Sequence, residues 1–265
     1  MYETNYHRAS SVSEAASLLA GSDEAKLLAG GQTLIPTMKQ RLAAPSDVVD
    51  IRHIAELKGI SVSGSKVTIG AATSHAEVAQ SADIANVCPA LCGLAAHIGD
   101  PHVRHMGTIG GSIANNDPAA DYPAAMVALD ATIHTNKRTI SASDFFVGLF
   151  ETALDEGEIV TAVSFDAPSK AAYQKFPNPA SRYAMAGVFV AQGNGGIRVG
   201  VTGAGSEGVF RSSEMEEALA ANFSPAALDA IAVDPAGMLA DIHGSAVYRA
   251  NLVKVMARRA VAAAG

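Results

Sequence analysis

Two short stretches hold the residues whose types and spacing could do chemistry, LAGGQTLIP at residues 28–36 and GTIGGS at residues 107–112. In the first, Gly30 and Gly31 follow a strand-like run and precede a helix-like one. That order frees backbone N–H groups to point at an anion where a helix begins, and the helix dipole adds to the attraction. Gly110 and Gly111 do something similar after Thr108. Either pair alone marks no more than a tight turn, because glycine takes up unusual backbone angles without strain. Each pair is also flanked by hydroxyl side chains, Thr33 in one case and Thr108 with Ser112 in the other. Together they read as two halves of one cradle for a diphosphate.

Other constellations are weaker. Gly203-Ala204-Gly205-Ser206-Glu207-Gly208 has the spacing of the dinucleotide fingerprint and follows a strand-like run at 197–202. In that fingerprint the third glycine lies inside the opening helix, whereas here the helix start signal, Ser213 with Glu216, comes later. Too few residues follow to complete a doubly wound sheet, so the match is set aside. His97, His102 and His105 with Asp100 invite a metal reading, but Gly99 and Pro101 break the helix between them and no i, i+4 pair is presented. No Ser-His-Asp or Cys-His arrangement has support. Cys88 and Cys92 read as a buried reduced pair, too few to hold an iron–sulfur cluster.

The elements that must position these residues follow from pattern. Ser11 with Glu14 forms a capping box before a helix ending near Gly21, and a strand at 26–29 runs into the first glycine pair. A helix over 33–42 is stopped by Pro45, and a strand follows at 48–51. ISVSGSKVTIGAAT alternates about Ser63 to Ser65 as a hairpin, and Ser74 with Glu77 caps a short helix. Helices at 89–97 and 123–129 enclose the second glycine pair; strands at 131–135 and 158–165 come next. After a polar turn at 166–169 come strands at 173–176, 184–191 and 197–202, then helices at 213–220, 225–231 and 246–263. The 265 residues, 49% hydrophobic and 17% charged, suffice for one large or two medium cores. A net charge of −7 with no cluster of Lys or Arg argues against nucleic acid as a partner. No apolar run approaches the length of a membrane span and no signal peptide is visible, so the expected location is the cytoplasm, or the inner face of the membrane.

LLAGGQTLIPTMKQRLAAPSDVVDI, TIGAATSHAEV, GDPHVRHMGTIGGSIANNDPAADYPAAMVALDA, FFVGLFETALDEGEIVTAV and YQKFPNPASRYAMAGVFV, in this order, resemble the FAD-binding medium subunit of the molybdenum hydroxylases. That family includes aerobic carbon monoxide dehydrogenase and xanthine dehydrogenase, and the resemblance runs from about residue 3 to the end of the chain. It implies an α+β fold: a PCMH-type, vanillyl-alcohol-oxidase-like FAD-binding domain at 1–168 in two subdomains, about 1–55 and 56–168. A C-terminal domain at 169–265 with a small antiparallel sheet would follow.

Carried over by position, the resemblance sets Ala29, Gly30, Gly31, Gln32, Thr33, Leu34, Ile35 and Pro36 around the FAD diphosphate, with Thr108, Ile109, Gly110, Gly111 and Ser112 as a second loop. It puts Asp121 close to the cofactor, Ile98 against the isoalloxazine, and Ile159 and Val160 in apolar contact with it. Lys175 falls near the flavin ring, where a cation stabilises the charge that the reduced form gathers. Other readings stay open: Asp121 as the N-cap of the Pro123 helix, Lys175 as a solvated strand lysine, and Tyr173 as either ring cover or core. Many members read V-R-N-R-G-T before the second glycine pair; Val103 to Thr108 here reads V-R-H-M-G-T, one positive charge fewer. The resemblance further implies a large molybdenum-cofactor subunit and a small subunit with two 2Fe-2S clusters, as a dimer of heterotrimers. This chain would pass electrons from the nearer cluster through FAD to a quinone, NAD or another acceptor. Carbon monoxide comes first as substrate of the complex, with a purine, aldehyde or N-heterocycle next. A free-standing FAD oxidoreductase and a colourless assembly subunit are the rivals.

Overall fold

The computed structural model describes residues 1–264. The chain opens with β1 (Asn5–Arg8), α1 (Val12–Ala20), β2 (Lys26–Leu28), α2 (Leu34–Lys39) and β3 (Asp47–Asp50). β1 and β2 flank β3, both parallel to it, and a parallel pair needs a crossover, which α1 and α2 provide. Ser11 accepts the Glu14 N–H at 3.1 Å, but the Glu14 carboxylate turns back to the N–H of Ser10 at 2.8 Å, so the expected capping box does not close.

Next come β4 (Ile60–Ser63), β5 (Lys66–Gly70), α3 (His75–Gln80), α4 (Ala82–Val87), α5 (Pro89–Ala96), α6 (Pro101–Met106), α7 (Ile109–Asn115) and α8 (Tyr122–Ala128). They are followed by β6 (Thr132–Thr135), β7 (Thr139–Ser141), α9 (Ala142–Phe145), β8 (Phe146–Gly148), β9 (Glu151–Thr152) and β10 (Val160–Asp166). Strands β4-β5-β10-β6-β7 form an antiparallel sheet in that order, and β8 pairs with β9. The capping box of Ser74 and Glu77 closes at the start of α3. Gly99 and Pro101 do end α5, yet they also begin a new helix. Asp100 accepts the N–H groups of His102 and Val103, and Pro101 takes the first turn, where a missing N–H costs nothing.

The rest of the chain forms β11 (Lys170–Pro177), β12 (Ala184–Gly193), β13 (Gly196–Thr202), β14 (Phe210–Arg211), α10 (Ser213–Ala221) and α11 (Ala246–Ala264), with the four strands antiparallel in sequence order. Residues 203–208 only join β13 to β14, and no helix opens among them. The helix expected over 225–231 is a short 3-10 turn at Pro225–Leu228. Glu216 does not cap α10. It accepts the Val199 N–H at 2.9 Å and pairs with Arg211, fastening the helix to the sheet.

β12 is apolar on both faces because both are covered. Val188 and Val190 join Met256 and Ala260 of α11 in one core cluster, while Tyr173, Phe189 and Ala191 share the other with α8 and the five-stranded sheet. All seven residues of α8 are buried. Gly200 lets α8 lie directly on β13, since a Cβ there would come within 2.2 Å of the Ala124 carbonyl oxygen.

Candidate cofactor cleft

Between the three-stranded sheet, the start of α7, the start of β10 and the end of β11 opens a cleft of about 900 Å³, at the upper end of what small-molecule sites use. Its first wall is the turn after β2. Gly31 has φ of +70°, and among the described residues the N–H groups of Gly30, Gly31, Gln32 and Thr33 donate to no acceptor within the chain. The Thr33 side chain makes no capping bond either. Successive unpartnered amides on a glycine turn form a concavity suited to an anion. Gly30 is fixed by its neighbour: a Cβ would come within 2.3 Å of the Met106 carbonyl oxygen and 2.5 Å of Gly107 Cα.

The second glycine pair behaves differently from its reading as a matching half-cradle. Gly110 and Gly111 lie in the first turn of α7, and their amides are taken. Ile109 N–H donates to the Thr73 carbonyl at 3.1 Å, Gly110 N–H to the Ala71 carbonyl at 2.9 Å, and Gly111 N–H to Thr108 Oγ1 at 3.1 Å. Glycine is needed at 110 because a Cβ would meet Ala71 at 2.5 Å. This wall offers the hydroxyls of Thr108 and Ser112 rather than a row of free N–H groups.

Asp121 and Lys175 meet across the floor. Lys175 Nζ donates to the Asp121 carboxylate at 3.0 Å and to the His97 carbonyl at 3.3 Å, and both side chains are almost wholly buried. The Tyr173 hydroxyl donates to the same carboxylate. Asp121 does occupy the N-cap position of α8, but its side chain makes no capping bond there, and Lys175 is not a solvated lysine. Burial pushes the Asp121 carboxyl above its ordinary value, against the pull of Lys175 and Tyr173.

Ile98, Ile159 and Val160 form the apolar wall. Ile159 is set by its N–H, which donates to Asn136 Oδ1 at 2.8 Å, and by Glu158 before it. The buried Glu158 carboxylate accepts Arg138 at 3.0 Å, Thr135 at 2.6 Å and the Asp155 N–H at 2.8 Å. Those donors, Arg138 foremost, hold its pKa down to about 2.

Fifteen expected residues therefore line one space: Ala29, Gly30, Gly31, Gln32, Thr33, Leu34, Ile98, Thr108, Gly110, Gly111, Ser112, Asp121, Ile159, Val160 and Lys175. Four do not. Ile35 and Pro36 are in α2, Ile109 is fully buried in the core, and Tyr173 stands behind Asp121 with its ring tilted against Phe189. Residue reasoning missed the outer rim, Phe150, Arg182 and Tyr183, which follow no motif. It also missed His75, whose only signal was its place after a capping serine in a short helix. Among the described residues no three His, Cys, Asp or Glu side chains gather as metal ligands.

A turn of free amides, an apolar wall and a buried lysine in one cleft fit a flavin dinucleotide, with its anionic middle and flat aromatic end. A family model described as the FAD binding domain in molybdopterin dehydrogenase matches residues 2–168, and the chain belongs to that family. It is similar along nearly its whole length to the medium subunits of other enzymes. The carbon monoxide dehydrogenase medium chain of Afipia carboxidovorans is 36% identical, with 97% of this chain and 95% of that protein covered. The nicotine 6-hydroxylase medium subunit of Paenarthrobacter nicotinovorans is 32% identical, with 98% and 96% covered. Among solved structures, carbon monoxide dehydrogenase from Hydrogenophaga pseudoflava superimposes with a TM-score of 0.90 at 35% identity, covering 99% of this chain and 97% of that one.

Proposed function

We propose that this chain is the flavoprotein subunit of a three-subunit molybdenum hydroxylase, passing electrons from the 2Fe-2S clusters of a small partner subunit through FAD to an external acceptor, a quinone or NAD. The observation that carries this is the cleft itself, in which the unpartnered amides of Gly30 to Thr33 and the buried Lys175 share one space. FAD, when bound, supplies the redox chemistry. The chain's own residues then bind and orient it. Gly30, Gly31, Gln32 and Thr33 receive the diphosphate, assisted by the Thr108 and Ser112 hydroxyls. Ile98, Ile159 and Val160 face the flat ring system and exclude water. Lys175, held by Asp121, keeps a positive charge beside it.

A large subunit with the molybdenum cofactor would oxidise the substrate, the whole forming a dimer of heterotrimers. Carbon monoxide is the substrate we favour, supported by likeness to the medium chains of two carbon monoxide dehydrogenases. An N-heterocycle is the second reading, supported by the similarly close nicotine 6-hydroxylase subunit. The FAD-binding unit would span 1–168, as subdomains of about 1–55 and 56–168, with the C-terminal unit at 169–265. We set the chain in the cytoplasm, where Cys88 and Cys92, both buried and free, stay reduced.

The test is to purify the chain alone and with its co-expressed partners. The chain alone should show flavin absorbance bands or acquire them on adding FAD, without turning over carbon monoxide or a heterocycle. The complex should bleach those bands when given one of these substrates. A colourless chain that takes up no FAD refutes the reading.

A further inference from the structure

His75 is the first residue of α3 and is stitched to the second glycine wall. Its N–H donates to the Gly107 carbonyl at 3.0 Å, and Ser74 beside it forms a bridge with Thr108. The side chain is 5% exposed, yet it reaches the wall of the cleft. It gets there because position 107 is glycine: a Cβ at Gly107 would sit 2.6 Å from His75 Nε2. The opposite nitrogen, Nδ1, is sealed from solvent with no hydrogen-bond partner. The Tyr122 ring lies 5.3 Å away, centre to centre, with its own hydroxyl unpartnered.

A neutral imidazole carries one N–H, and a buried N–H left without an acceptor is worse tolerated than a bare acceptor. The proton therefore belongs on Nε2, at the cleft wall beside Gly107. Burial, reinforced by the Arg104 charge, lowers the ring's pKa to about 4, so the ring is neutral near pH 7. The amides of Ile109, Gly110 and Gly111 are already engaged, so this wall has few donors left for an anion lying between it and the Gly30 turn.

We propose that His75 donates a hydrogen bond from Nε2 to an oxygen of the cofactor's diphosphate, completing on the second wall the cradle that the free amides form on the first. This rests on the reading of the cleft as an FAD site. His75 is thus a binding residue, with Gly107 as the residue that admits it.

The test titrates the full apo chain with FAD, ADP and riboflavin, the last lacking the diphosphate. His75→Phe keeps a flat ring but no donor and should weaken FAD and ADP binding about 10- to 100-fold, as loss of a hydrogen bond to a charged group does. Riboflavin binding should be unchanged. His75→Gln sets an amide N–H near the place of Nε2 and should recover affinity to within a few-fold of the unaltered chain. In the unaltered chain the imidazole Nε2–H resonance should shift on adding ADP. An FAD affinity untouched by His75→Phe, equal losses for riboflavin, no recovery in His75→Gln, or no shift with ADP each overturns the assignment. Failure of the unaltered chain to bind FAD at all overturns the reading of the cleft with it.

Discussion

Lys175 keeps its ammonium in the floor of the cleft only because Asp121 and the His97 carbonyl receive it. A lone buried ammonium is disfavoured by desolvation, and so is a lone carboxylate; each makes the other tolerable. The pair was readable in part. Period-two alternation along a strand sets Tyr173 and Lys175 on one face, and both do reach Asp121. It did not reveal that the tyrosine would work from behind, its ring in the core and its hydroxyl on the carboxylate. Lys175→Met leaves Asp121 without its cation, which should cost about 3–5 kcal/mol of folding stability, and should remove the stabilisation of a reduced flavin while leaving the amide turn intact. We expect a midpoint potential lower by about 20–40 mV, which is about 1–2 kcal/mol for two electrons, with FAD still bound. Potentiometric titration of the flavin absorbance measures it, and an unchanged potential removes Lys175 from this role.

The turn after β2 and the start of α7 look alike as glycine pairs, yet one leaves its amides free and the other commits them, Gly110 to the Ala71 carbonyl and Gly111 to the Thr108 hydroxyl, with Ile109 between the pair and Thr108 held by Thr73. That difference depends on contacts distant in sequence, which no local pattern carries. Helix α6 is another matter: Asp100 followed by Pro101 starts it, whereas Gly99 and Pro101 read in the sequence as the stop of the helix before. The start of β10 lends itself to a pH experiment. Glu158 titrates at about 2 in the folded chain against an ordinary 4.5, so its contribution is complete above pH 4.5 and fades as pH falls toward 2. With Arg138 half exposed, that contribution is about 2 kcal/mol, below the full shift. Glu158→Gln should lower stability to urea at pH 7 and flatten its decline between pH 4.5 and 3. A decline as steep as that of the unaltered chain would contradict this account.

Taken whole, the molecule has cores that do not respect the border of the family match. Tyr173, Phe189 and Ala191 pack in the same cluster as α8 and the five-stranded sheet, and Gly200 touches the backbone of α8. Residues 1–168 expressed alone would expose the whole of one face of α8 and leave Asp121 buried without its cation. Loss of one partner from a buried pair costs about 3–5 kcal/mol, so that fragment should aggregate or give a collapsed amide spectrum. A well-dispersed spectrum from it would show that the first unit folds unaided.

The ion pair on the cleft floor also has a meaning for descent. Asp121 and Lys175 stand on opposite sides of residue 168. A chimaera of two relatives joined there draws the carboxylate from one parent and the ammonium from the other. Recombination at that border succeeds only between parents that already share both partners, whereas a joint beyond the strand bearing Lys175 hands them down together.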